Sequence, residues 1–178
     1  MGKRPARCYR HPKGQAYTRT AKRVVRKAFI RGVPNPVLVH QDMGRSDKKY
    51  KYQVLLISEE NVQVRDTALE ACRVAINKRL EKEIGVENYH FQVRAYPHHV
   101  LRENAIITGA GADRLQTGMR HSFGRPKGRA ARLKMGQPVF SVKVNTKRSA
   151  EKARKALKRI RSKLPMEVTI EVREIGEK

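Results

Sequence analysis

The chain has 178 residues, room for one domain of ordinary size with tails or long loops. Its 41 Lys and Arg face only 16 Asp and Glu, a net charge of +25. Self-repulsion on that scale works against a compact state unless counter-charge is supplied, and nucleic-acid phosphate is the densest counter-charge in a cell; the competing reading is a merely solvated basic surface.

Apolar residues make up 39% of the chain, aromatics 6%, and there is no Trp, which limits the interior to one modest core. The N-terminal sequence lacks the apolar stretch of a signal peptide. The longest apolar run, at 54–57, is far too short to cross a membrane. Cys72 falls on the apolar face of a predicted helix and Cys8 in a basic tail, so no disulfide framework is expected and the thiols suit a reducing compartment.

Residues 1–41 contain no acid and interleave basic residues with Pro5, Pro12, Pro34 and Pro36. Such a stretch reads as an arm, over 1–36, ordered by a partner, with a short basic helix over 20–30. Tyr9 and Tyr17 are placed either to stack on bases or to anchor the arm to its own domain. The remainder, 37–178, reads as one α+β domain. Residues 50–58 form a buried strand. Leu69, Cys72, Ile76 and Leu80 then recur at helical spacing within 65–84, with Asp66 at the start and Gly85 as the stop.

Residues 89–96 alternate as a half-buried strand with Phe91, Val93 and Ala95 inward. Pro97, His98 and His99 form a turn with two solvated histidines, and 100–107 is the return strand. Residues 108–128 break every period with Gly109, Gly111, Gly118, Gly124, Pro126 and Gly128; a structureless loop of this length needs a function. A strand over 129–135, a tight Gly136 connection and a strand over 139–144 follow. The clearest helix spans 148–164, with Ala150, Ala153, Leu157, Ile160 and Leu164 on one face, Ser149 as N-cap and Pro165 as terminator. The last strand, 166–173, turns Met166, Val168, Ile170 and Val172 inward. The predicted fold is therefore α+β in a single domain: a mostly antiparallel sheet, two helices, a basic arm and a long Gly/Arg-rich loop.

Catalysis finds no support. There is no nucleophile motif, no HExxH and no pocketed carboxylate pair, and the acids on the first helix and the last strand read as solvated. The GAGADR run at 109–114 lacks the third glycine of a dinucleotide fingerprint and any GKS or GKT. Cys8 and His11 have no second ligand pair. No metal, cofactor or small-molecule substrate is expected.

RNA contact is the positive reading. From 114 to 134 the chain holds Arg114, Arg120, Arg125, Lys127, Arg129, Arg132 and Lys134 without an acid. The arginine fork matches phosphate and stacks on bases, and glycines allow close approach. Folded RNA is read by shape and splayed bases, which such a loop suits. Residue types alone weigh this equally with a basic loop lacking a specific target. The arm adds Arg4, Arg7, Arg10, Lys13, Arg19, Lys22, Arg23 and Arg26, and Arg102 precedes the loop; all are candidate RNA-binding residues.

The opening RPARCYR at 4–10, the run GAGADRLQTGMR at 109–120 and FGRPKG at 123–128 resemble the archaeal and eukaryotic "L ten e" ribosomal proteins, counterparts of the bacterial large-subunit protein "L sixteen". The resemblance covers nearly the whole chain. It implies an α/β-hammerhead-like fold and a place on large-subunit ribosomal RNA in the cytoplasmic ribosome, beside the aminoacyl-tRNA path and among neighbouring ribosomal proteins. It further implies that the loop, with Gly109, Gly111, Arg114, Gln116, Gly118, Arg120 and His121, reaches toward the peptidyl transferase centre and the peptidyl-site tRNA. Late incorporation during subunit assembly is part of the same implication. The end at Lys178 fits the archaeal rather than the longer eukaryotic members.

Overall fold

Two antiparallel sheets and two helices share one core in a computed structural model that describes residues 4–17, 30, 32–104, 119–120 and 122–175. The strands are β1 (Asp42–Gly44), β2 (Tyr52–Ser58), β3 (Val62–Arg65), β4 (Tyr89–Val93), β5 (His99–Glu103), β6 (Arg125–Leu133), β7 (Pro138–Val144) and β8 (Val168–Glu174). The helices are α1 (Asp66–Glu83) and α2 (Lys147–Arg159), the latter continued by a 3-10 turn, Ile160–Lys163. The α+β reading of the sequence and both of its long helices are thus present. The basic helix expected over 20–30 lies, but for Ile30, outside the described residues.

A five-stranded sheet runs β1-β4-β7-β2-β8 and a three-stranded sheet runs β3-β6-β5. The short strands β1 and β3 were not legible: three or four residues are too few to display a period. Consecutive strands also do not pair as the alternation suggested. β4 pairs with β1 and β7, whereas β5 pairs with β6 in the other sheet. The segment around buried Pro97 and the turn at Gly136 each carry the chain between sheets instead of closing hairpins.

α1 buries Leu69, Cys72, Ile76 and Leu80, as its spacing requires. It stops where Gly85 takes φ +87° and its N–H reaches the carbonyls of Leu80 and Glu81. α2 buries Ala150, Ala153, Ala156 and Leu157, but its N-cap is Thr146, whose hydroxyl accepts from Ser149 N–H at 3.2 Å; Ser149 itself sits inside the first turn. Small residues along α2 let it lie close to β2 and α1. Phe91 on β4 and Phe140 on β7 meet at 5.9 Å between ring centres in the middle of the core.

Three further expectations need correcting. Asp66 is not solvated: it is 3% exposed, and its carboxylate accepts from Val37 N–H and Thr67 N–H. Burial of the α1 N-terminus against residues 37–38 demands an acceptor there. Val172 is 47% exposed, because the end of β8 runs past the cover of α2 on an edge strand. Residues 125–128, expected in the loop, belong instead to β6, which begins at Arg125 and pairs it with Glu103.

Candidate nucleic-acid interface

Residues 4–17 lie along the three-stranded sheet. The N–H of Gln63, on the β3 edge, donates to the carbonyl of Arg10 at 2.9 Å; the N–H of Val100, on the β5 edge, donates to the carbonyl of Tyr17 at 3.1 Å. Both exposed edges of the sheet thus find backbone partners in one segment. Arg132, on the central strand β6, donates across to the carbonyls of Lys13, Gly14 and Gln15. Arg129 Nε reaches the Pro34 carbonyl at 2.7 Å.

Of the two roles open to Tyr9 and Tyr17, both side chains take the anchoring one. The Tyr9 hydroxyl donates to the Glu103 carboxylate, and Arg65 stacks 4.7 Å from the Tyr9 ring centre. Burial, then Glu103, pushes the Tyr9 hydroxyl well above its ordinary range. Burial alone would raise Glu103 too, but the Tyr9 hydroxyl, Arg4 and Lys127 outweigh it and hold that carboxylate below the usual range. Arg102 sits between Tyr17 and Phe123, 4.2 and 3.7 Å from their ring centres, and donates to the Phe123 carbonyl at 2.6 Å. The N-terminal segment and the returning limb of the loop therefore converge on one arginine. Gly124 completes the stem: at φ +79° a Cβ there would lie 2.7 Å from the Glu103 carbonyl carbon.

The predicted cations divide into two groups. Arg4, Arg10, Arg102, Arg129 and Arg132 are bonded within the protein, Arg10 to Glu60 at 2.8 Å. Arg7, Lys13, Arg120, Arg125 and Lys127 are exposed, with Arg125 and Lys127 at alternate positions of β6. Arg19, Lys22, Arg23, Arg26 and Arg114 lie outside the described residues, as do Gly109, Gly111, Gln116, Gly118 and His121. Sequence reasoning missed Arg65 and Glu103. The one signal for Glu103 was an isolated acid among cations. Among the described residues no three His, Cys, Asp or Glu side chains gather as a metal site. No helix of the described residues is long and apolar enough to cross a membrane.

The turn at 97–99 is also corrected. His98 is exposed, but His99 is 8% exposed, and its Nδ1 accepts from Tyr17 N–H at 3.0 Å. Burial, then Arg132 and Arg102, pulls its pKa from 6.5 down to about 4. A folded-state pKa below the unfolded one means that the unfolded chain takes up the proton first. The stabilising contribution is complete above pH 6.5 and is lost as pH falls to about 4; a gap of that size corresponds to on the order of 3 kcal/mol. Amide protection of Tyr17 and Val100 is expected to collapse across this window, and His99→Gln, which accepts without titrating, to flatten the profile. Unchanged protection down to pH 4 would show that His99 does not hold the segment.

The sequence that builds this site matches a known group of proteins. Residues 12–171 match the family described as ribosomal protein L16p/L10e. The chain is 47% identical over 170 residues to the large ribosomal subunit protein uL16 of Staphylothermus marinus, covering 96% of this chain and 93% of that one. It is 46% identical to the protein of the same name from Hyperthermus butylicus, covering 97% and 94%. With the uL16 of Methanoculleus marisnigri the identity is 44%, over 93% and 92%. With the family model matching most of its length and such relatives spanning nearly all of it, the chain belongs to the ribosomal protein L16p/L10e family and is a non-enzymatic ribosomal protein.

Proposed function

We propose that this chain is a structural constituent of the large ribosomal subunit that binds ribosomal RNA beside the aminoacyl-tRNA path in the cytoplasmic ribosome. Neighbouring ribosomal proteins are its further partners. Residues 1–36 act as the arm and 37–178 as the RNA-binding domain, with the loop directed toward the peptidyl transferase centre and the peptidyl-site tRNA. In this role the protein supports translation and late subunit assembly.

The observation that carries the reading is unspent positive charge. Among the described residues, ion pairs with carboxylates engage Arg10, Arg45, Arg73, Arg79 and Arg173 and no lysine. The whole chain has 41 Lys and Arg against 16 Asp and Glu, so a net charge of +25 awaits an external polyanion however the carboxylates are paired. Internally bonded arginines fix the segment 4–17 and the loop stem, and the exposed cations beside them meet phosphate at little further ordering cost.

The test is the salt dependence of binding to structured RNA by the free protein. Neutralising roughly eight phosphates gives a slope of log K against log salt of about −6 to −7. A slope shallower than about −2 would mean that the charge is not used on phosphate.

A further inference from the structure

We propose that the groove between α1 and α2 is a second RNA site that grips the phosphate backbone of a different RNA segment, so that the protein bridges two. This rests on the RNA-binding function proposed above. The helices lie side by side, joined where Lys152 Nζ donates to the Glu83 carbonyl at 2.7 Å. The groove has a floor of Ala75, Ala156 and Ile160. Exposed Lys78 and Lys82 rise from α1 on one side, and exposed Arg159 and Lys163 from α2 and its 3-10 turn on the other. The single acid lining the groove, Glu83, is already taken by Arg79 Nε at 2.7 Å. Among the described residues none of these four exposed cations is in an ion pair with a carboxylate.

The arrangement selects a polyanion strand. Lys78 and Lys82 are one helical turn apart, about 6 Å along the axis, and so is the opposing pair in sequence spacing. Charges in two rows over an open trough suit a chain of phosphates, not one enclosed anion. The low floor admits the backbone of an A-form helix, which proteins recognise by shape, phosphate and 2′-hydroxyl. A protein partner fits less well: the floor offers no aromatic anchor, and lysine is depleted from protein–protein interfaces. No residue of this groove takes part in the face formed by residues 4–17, the three-stranded sheet and the loop stem.

The experiment uses the full chain and two blunt, mixed-sequence RNA duplexes of about 20 base pairs, one carrying a donor dye and the other an acceptor. Wild type is expected to bring both together and give energy transfer. The variant Lys78→Gln, Lys82→Gln, Arg159→Gln, Lys163→Gln should bind one duplex but lose the transfer, with the salt slope about 3 less steep. Replacing the three lysines with arginine instead should keep the transfer, and melts of all variants should coincide, since the altered side chains are exposed. Arg120→Gln, Arg125→Gln, Lys127→Gln on the other face should also abolish transfer while leaving one duplex bound. Transfer and slope unchanged in the groove variant would overturn the inference while leaving RNA binding standing. So would loss from that variant of an acidic ribosomal protein partner alone. If wild type binds neither duplex, the RNA-binding function itself fails.

Discussion

Phe140→Ala is expected to lower stability by about 3–5 kcal/mol, a fall in melting temperature of about 6–20 °C for a chain of this size. Phe140 is fully buried on β7, whose neighbours in the sheet are β4 and β2. Its ring meets Phe91 from β4, and Leu56 stands opposite it in the register with β2. The surrounding strands are hydrogen-bonded on both sides, so the backbone cannot collapse into the space left, and the cavity term is felt in full. Val172→Ala, in the same sheet but 47% exposed, serves as the contrast and should change stability by less than about 0.5 kcal/mol. Both are read by a denaturant or thermal melt of the free protein. Equal effects at the two positions would mean that the centre of the core lies elsewhere.

Replacing residues 106–119 with a Gly-Gly link should leave folding intact but cost ribosomes at least about ten-fold in translation, about 1.4 kcal/mol or more at the step affected. The stem explains the first half. Glu103 and Arg125 face each other at the end of the β5–β6 ladder, and Phe123 stays on Arg102 in the shortened chain. Shortening a loop changes closure entropy by only about 1 kcal/mol, so the melt should barely move. The second half follows from the proposed role of the loop: the domain and arm still seat the protein on RNA, while the part directed at tRNA is gone. The measurement is translation by purified ribosomes, with occupancy of the shortened protein determined in the same particles. Full occupancy with normal translation would remove the loop from the function. A collapsed melt would place core residues within 106–119.

The two effects separate what this sequence states from what it leaves to the fold. Helix faces were legible because burial repeats at three and four residues: Leu69, Cys72, Ile76 and Leu80 on α1, and Ala150, Ala153, Leu157 and Ile160 on α2, are buried as their spacing requires. The class of partner was legible from a charge of +25 that no carboxylate in the chain can balance. The family was legible from contiguous runs at 4–10, 109–120 and 123–128. Pairing was not. β4 and β5 are neighbours in sequence yet belong to different sheets, because alternation marks a strand without naming its partner. Nor could residue type say which cations are spent internally. Arg7 and Arg10 look alike in the arm, but only Arg10 lies opposite Glu60. Arg102 and Arg125 both flank the loop, but only Arg102 is caught between two aromatic rings. His99 and His98 are adjacent, and strand direction buries one and exposes the other. Charge and periodicity are properties of the chain read along its length. The partner of a given side chain depends on what distant segments bring within about 3–4 Å of it, and only the tertiary structure sets that distance.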